Sequence, residues 1–284
     1  MKTHLLIILF LVPFIGSFGQ NKPSIEDYDK AIASDPKNAV AWYYRSVLKS
    51  NKADYRGAIE DCKKALEIKP DYFEALFAAG LDYADLRNPE EAISYFTKAL
   101  KINPNSATTW YNRGVNRSLI KDYKNAESDL TKAIELNGNF AEAYEQRAVA
   151  KNSSKDFAGA LKDFNKALQL KPAYPDALIG RAAAYTNILD HKNAIADYTS
   201  AIKLSPRNAQ IWLKRGMSKS YMKDYEGSIS DLTEAIKINP LFMDAYINRG
   251  LAKFALNQNG CLDLKKAADA GNPNGQRFMK QYCK

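Results

Sequence analysis

The chain has 284 residues, of which 46% are apolar, 26% charged and 11% aromatic, and 41 lysines and arginines against 32 acids give it a net charge of +9. That much apolar and aromatic side chain offsets the entropy of ordering and excludes a disordered chain, while 14 glycines and 11 prolines exclude collagen-like and proline-rich architectures. Two histidines and three cysteines leave little material for an imidazole-driven active site or a His/Cys metal centre.

The first predicted element is a targeting segment. Lys2 supplies a positive start, and Leu5 to Ile15 form an apolar run broken only by Pro13. Ser17-Phe18-Gly19 then places small residues at the −3 and −1 positions of a cleavage site. The run is too short to span a bilayer. Residues 1–19 therefore read as a signal peptide cleaved after Gly19, and the mature chain as an exported protein, periplasmic or secreted.

Residues 20–38 hold one predicted helix, over 24–35, and from there the sequence is periodic. Prolines stand at 36, 70, 104, 172, 206 and 240, with Gly138 at the missing step, so every interval equals that from Pro36 to Pro70 or a multiple of it. Five residues before each comes an alanine: Ala31, Ala65, Ala99, Ala133, Ala167, Ala201 and Ala235. A series of small residues (Ser46, Gly80, Gly114, Ala148, Ala182, Gly216, Gly250) and one of large residues (Trp42, Leu76, Trp110, Tyr144, Leu178, Trp212, Tyr246) keep the same period. Within each unit, apolar positions recur at three- and four-residue steps, which predicts two short helices. The small residues let these helices approach closely, and the large one is expected to fill the space between them. Proline ends the second helix because it lacks the next backbone donor. One such hairpin cannot bury its own apolar face, so stability requires stacked neighbours: an all-α solenoid of antiparallel helix pairs. The units run 39–72, 73–106, 107–140, 141–174, 175–208 and 209–242, after a half repeat at 20–38. Residues 243–284 form a shortened terminal repeat with a capping helix.

With each repeat numbered from 1, starting at Ala39 and again at Phe73, position 7 carries Arg45, Arg113, Arg147, Arg181, Arg215 and Arg249. Position 23 carries Asp61, Asp129, Asp163, Asp197 and Asp231, with Asp263 as the register-shifted equivalent. The second repeat has neither, showing Ala79 and Tyr95 instead. An anion-binding ladder of arginines would not explain a matched aspartate. Structural Arg–Asp pairs between the two helices of a repeat do, with bidentate geometry available. Asp27 in the half repeat has no arginine of its own, which leaves a pairing with Arg45 open.

The Trp, Gly, Ala and Pro positions of each unit resemble the tetratricopeptide repeat family, across essentially the whole mature chain. The resemblance implies a right-handed superhelix that binds a peptide or partner protein in its concave groove and does not itself catalyse. It places the groove on the first helices, chiefly at positions 2, 5, 9 and 12. Here position 5 reads Tyr43, Phe77, Tyr111, Glu145, Ile179, Leu213 and Ile247, and position 9 begins Val47, Leu81 and Val115. Tyr43, Phe77 and Tyr111, with Val47, Leu81 and Val115 behind them, are the candidate partner-binding surface, since rigid amphipathic aromatics are enriched at binding hot spots. Position 9 side chains can equally be packing between adjacent first helices. The acids at position 2 (Glu74, Glu142, Asp176, Asp244) read as solvated rim. The carboxylate clamp of chaperone adaptors, lysine at position 5 with asparagine at position 9, is absent.

His191 stands at position 17, where other repeats place Tyr55, Tyr123, Phe157 and Tyr225, so it reads as a packed stand-in. Cys62 falls in an apolar series and reads as a buried thiol. There is no glycine-rich phosphate loop, Ser-His-Asp candidate or metal-ligand spacing, so the expectation is a non-enzyme with no cofactor and no metal. Lys265 to Asn272 resemble the close of a Sel1-like repeat. Cys261 and Cys283 flank that segment, and in an exported protein they read as a structural disulfide. The expected partner is a protein or peptide, not nucleic acid, and the mature chain has no predicted transmembrane span. The alternative rests on charge. Residues 209–284 hold 12 basic and 7 acidic side chains, an excess that could bind an anionic polymer or a membrane surface.

Overall fold

The computed structural model describes residues 23–283, so the signal-peptide reading lies outside the described residues. Every regular element among them is a helix. The first four are α1 (Ile25–Ser34), α2 (Ala39–Asn51), α3 (Tyr55–Ile68) and α4 (Phe73–Asp85). Next come α5 (Pro89–Ile102), α6 (Ala107–Leu119), α7 (Tyr123–Leu136), α8 (Ala141–Ser153), α9 (Phe157–Leu170) and α10 (Pro175–Asn187). The last are α11 (His191–Leu204), α12 (Ala209–Tyr221), α13 (Tyr225–Ile238), α14 (Met243–Ala255), α15 (Cys261–Asp269) and α16 (Pro273–Tyr282). None is long and apolar enough to cross a membrane. The helices form two compact units, α1–α4 ending at Leu86 and α5–α16 beginning at Arg87. That division falls inside the second repeat.

Both punctuation marks of the repeat have a local cause. Each second helix up to α13 ends where the following residue's N–H donates to the buried alanine carbonyl four residues back, as Lys69 does to Ala65 and Lys171 to Ala167. Proline follows in most repeats and prevents continuation. Each first helix ends on a residue in the left-handed region: Ala53, Arg87, Lys121, Lys155, Leu189, Lys223 and Asn257, all with φ between 57° and 69° and one at the same point of every repeat. None is glycine, so each turn carries a backbone penalty that the packing around it must overcome. At Asp54, Asp156, Asp190 and Asp224 the next side chain accepts a hydrogen bond from the backbone three residues on, capping the second helix.

Within each unit both helices of a repeat contribute to the core, first helices through residues such as Ala75, Ala148 and Ala182, and second helices through a recurring set. Ala58, Ala65, Ala126, Ala133, Ala160, Ala167, Ala194 and Ala201 are fully buried, as are Cys62, Leu130, Phe164 and Leu232. A side chain at Gly180 would strike the Phe164 ring, which explains why that first-helix position is bare. The large position-4 residues differ from expectation. Leu76 and Leu178 are buried, but Trp42, Trp110 and Trp212 are only half-buried. Their indole N–H groups donate to the carbonyls of Pro36, Pro104 and Pro206 at 3.0, 2.8 and 2.9 Å. A tryptophan kept at the edge of the core satisfies its donor and keeps part of its ring outside the core.

The terminal repeat is expected to pack weakly because it is two residues short, and its second helix α15 is indeed shorter than those before it, but it keeps a small core of its own. Gly260 comes against the backbone of Gly250, and neither could carry a side chain there without a shift. This approach brings Leu264 and Ala267 to full burial beside Ile247. Cys261, the first residue of α15, is disulfide-bonded to Cys283 at the end of α16. Cys62 is free and buried, its Sγ donating to Ser46 Oγ at 3.2 Å, and burial pushes its thiol up to about 12.

Because solenoid stability is nearly a sum of neighbour contributions, the disulfide acts locally. Cys283→Ser should speed amide hydrogen exchange throughout α15 and α16, equivalent to a loss of about 3 kcal/mol on the chain-entropy model. Exchange in α1–α10 should not change. Equal acceleration along the whole chain would show that the bridge supports more than the cap.

Candidate functional site

The polar series first located in the sequence lies between the helices of each repeat. Arg45 donates through Nε and Nη2 to the two carboxylate oxygens of Asp61, at 2.8 and 2.7 Å. The same two-bond geometry joins Arg113 to Asp129, Arg147 to Asp163, Arg181 to Asp197, Arg215 to Asp231 and Arg249 to Asp263, with every distance between 2.6 and 3.0 Å. The aspartates are buried and the arginines mostly half-buried. Burial alone would raise the Asp263 carboxyl, but the bonds from Arg249 and Lys253 hold it below the usual carboxylate range.

Two further contacts escaped the sequence reading. First, position 11 adds a second cation: Lys49, Arg117, Lys151, Lys219 and Lys253 reach the same aspartates at 2.7–3.0 Å. Only Asp197 lacks one, because position 11 there is Tyr185. Second, the remaining guanidinium nitrogen reaches back to the second helix of the preceding repeat. Nη1 of Arg113, Arg147, Arg215 and Arg249 donates to Thr97, Thr131, Thr199 and Thr233 at 3.0–3.1 Å, and that of Arg181 to Asn165 at 2.6 Å. In the half repeat this place belongs to Asp29, 2.6 Å from Arg45. The pairing left open between Asp27 and Arg45 is therefore corrected. Asp27 is the third residue of α1, where its carboxylate accepts from the Ser24 backbone in a capping box. Each arginine except Arg181 also lies over the position-4 ring, 4.6–4.9 Å above Trp42, Trp110 and Trp212 and 5.5–5.6 Å above Tyr144 and Tyr246.

The groove candidates divide between the units. Tyr43, Val47, Phe77 and Leu81 lie in the first and Tyr111 and Val115 in the second, and all six are half-buried. Part of that burial belongs to the fold. Tyr43 packs on Tyr72 with centroids 5.2 Å apart, and Tyr111 on Phe140 at 4.8 Å. Burial pushes both phenols well above their ordinary range. Further along position 5, Ile179 is half-buried whereas Leu213 and Ile247 are core.

Position 5 also holds Glu145, 4% exposed on α8. Its Oε2 accepts from Gln146 Nε2 at 2.8 Å and from the Tyr174 hydroxyl at 3.5 Å. Burial, reinforced by the negative charges of Asp176 and Glu142, pushes this carboxyl up to about 7. Asp82 on α4 is similarly buried, bonded by Ser50 at 2.6 Å and raised to about 7 by burial. His191 is buried and stacked on Tyr221, with ring centroids 4.6 Å apart. Among the described residues no group of three or more His, Cys, Asp or Glu side chains is placed to hold a metal ion.

Helical hairpins repeated at one fixed sequence interval and packed pairwise in sequence define an α-solenoid repeat protein. Tetratricopeptide-repeat models match residues 27–60, 73–106, 107–140, 141–174 and 209–240, more than half of the chain. The chain belongs to the tetratricopeptide repeat family, whose members generally mediate protein–protein interactions on a non-catalytic scaffold. No curated protein matches it. Solved structures share the fold. A tetratricopeptide repeat protein from Parabacteroides merdae is 20% identical with a TM-score of 0.64, over 90% of this chain and 98% of that one. A MamA protein is 25% identical with a TM-score of 0.56, over 62% and 96%. The APC/C hetero-tetramer Cut9–Hcn1 is 17% identical with a TM-score of 0.65, over 79% of this chain and 44% of that one, so the chain spans less than half the length of that match.

Two measurements follow from the buried charges. In a double-mutant cycle, Arg147→Ala or Asp163→Tyr alone should cost about 3–5 kcal/mol by stranding a buried charge, and the double variant clearly less than their sum. Simple additivity would show that the pair is not coupled. Glu145 titrates higher in the folded chain than in the unfolded one, so between about pH 4.5 and about 7 only the folded chain keeps its proton. Stability contributed here falls as pH rises through that window and is lost above it. Glu145→Gln should match wild type in urea denaturation near pH 4 and exceed it near pH 8 by about 3 kcal/mol.

Proposed function

We propose that this protein is an exported, non-catalytic scaffold that holds a peptide segment of a partner protein against the first helices of its repeats. The observation that carries this reading is that the apolar side chains at positions 5 and 9 are half-buried, Tyr43, Val47, Phe77 and Leu81 in one unit and Tyr111 and Val115 in the other. Such side chains retain surface that a partner can desolvate, and aromatic anchors of this kind dominate binding energy. The Cys261–Cys283 disulfide supports export, because such bridges persist in oxidising compartments. The charge-based alternative is weakened by where the cations go. Arg215, Lys219, Arg249 and Lys253 are bound to Asp231 and Asp263, and Arg277 lies over Phe278.

Replacing Tyr43, Phe77 and Tyr111 together by Ser should abolish capture of the partner from the native compartment. Helical content by circular dichroism should persist, with melting lowered by the lost ring contacts to Tyr44, Tyr72, Phe73 and Phe140. Retained capture at wild-type level would refute the groove reading, and global unfolding would show that these side chains are core.

A further inference from the structure

Every buried aspartate of the α2–α3, α6–α7, α8–α9, α10–α11, α12–α13 and α14–α15 hairpins is neutralised from within the chain. Asp61, Asp129, Asp163, Asp231 and Asp263 each take two cations, and Asp197 takes one. Glu145 breaks this rule in the same fold. It is equally buried, yet its two hydrogen bonds come from an amide and a phenol, and both fall on Oε2. A candidate cation, Lys171, is engaged elsewhere: its Nζ pairs with Glu142 at 3.1 Å and lies 4.4 Å over the Tyr174 ring. Position 5 is aromatic or aliphatic in every other repeat, so packing alone would favour Tyr, Ile or Leu here. A buried carboxylate without a counter-charge is a standing cost to the fold, and a partner's positive charge would remove it.

The surroundings suit a cation and little else. The Tyr174 hydroxyl lies 3.5 Å from Glu145 Oε2, and the negative charges of Asp176 on α10 and Glu142 on α8 act on the same carboxyl. Carboxylates gathered in this way attract ammonium and guanidinium groups and repel anions. We propose that Glu145 receives the side chain of a lysine or arginine from the partner peptide, making this point of the groove a specificity pocket for a basic residue. This rests on the groove reading and adds the partner's chemistry to it: a segment with one basic residue in register with repeat four and an apolar residue for Tyr111 in the repeat before.

The test uses capped tripeptides, acetyl-Ala-X-Ala-amide with X lysine, arginine or norleucine, titrated into the full mature chain and followed by amide chemical shifts. Acetylation removes the terminal amine, and a fourth peptide with a free N-terminus and X norleucine reports whether a chain amine can substitute. The lysine or arginine peptide should shift amides around Tyr111, Glu145 and Tyr174 saturably and bind about tenfold tighter than the norleucine peptide. Glu145→Gln should erase that preference while leaving the remaining spectrum unchanged. Equal binding of the lysine, arginine and norleucine peptides, no saturable shift at these residues, or an undiminished preference in Glu145→Gln would each overturn the proposal. If only the free-amine peptide binds, the pocket takes a chain terminus and the side-chain assignment falls. The wider groove is judged separately by the serine variants, so either reading can fail alone.

Discussion

The arginine at position 7 is the constraint around which these repeats are organised. A single guanidinium holds the aspartate of its own repeat through two nitrogens and the second helix of the preceding repeat through the third, with an aromatic ring beneath it in five of six cases. It therefore fixes two interfaces at once, the one within a hairpin and the one between hairpins. A planar fork with five donors can do this, whereas a lysine could not bond in three fixed directions. The aspartates tolerate burial because the second cation at position 11 balances the first contact's demand for charge, and the carboxylate oxygens are left with few unmet hydrogen bonds.

This polar clasp also decides what the first helix can offer a partner. At 100° per residue, positions 4, 7 and 11 share one face, and positions 2, 5, 9 and 12 lie well round from it. Tryptophan, arginine and lysine are thus committed to holding the hairpins together. The other face is left for residues whose chemistry can vary from repeat to repeat without disturbing the joints. Position 5 uses that freedom, passing from Tyr43 and Tyr111 through Glu145 to Leu213 and Ile247.

The helices, their proline stops and the pairing of Arg45 with Asp61 and its counterparts were legible in the sequence because each is a local rule that recurs along the repeats. The position-11 cations were equally periodic, but a lysine on an exposed-looking helix face carries no mark of its partner until the second helix is placed beside it. Thr97, Thr131, Thr199 and Thr233 were less legible still, since their role joins different repeats. Glu145 stood out as an odd residue in its series, yet burial is a property of Tyr174 and the neighbouring helices, not of the glutamate. Asp27 misled for the opposite reason: its partner was Ser24, three residues away, and the more distant Arg45 belonged to Asp29.

Gly250 and Gly260 meet backbone to backbone where the last hairpin turns. A repeat array has an open end by construction, since its last hairpin displays the same surface that received the one before. Dropping two residues and letting two backbones touch shortens the passage from α14 to α15 while the Arg249–Asp263 clasp is kept. The short α16, with Gln276, Arg277, Lys280 and Gln281 exposed, covers that end instead with charge and amide. The outward face of α16 is in this way polar where an interior hairpin offers its neighbour an apolar seat.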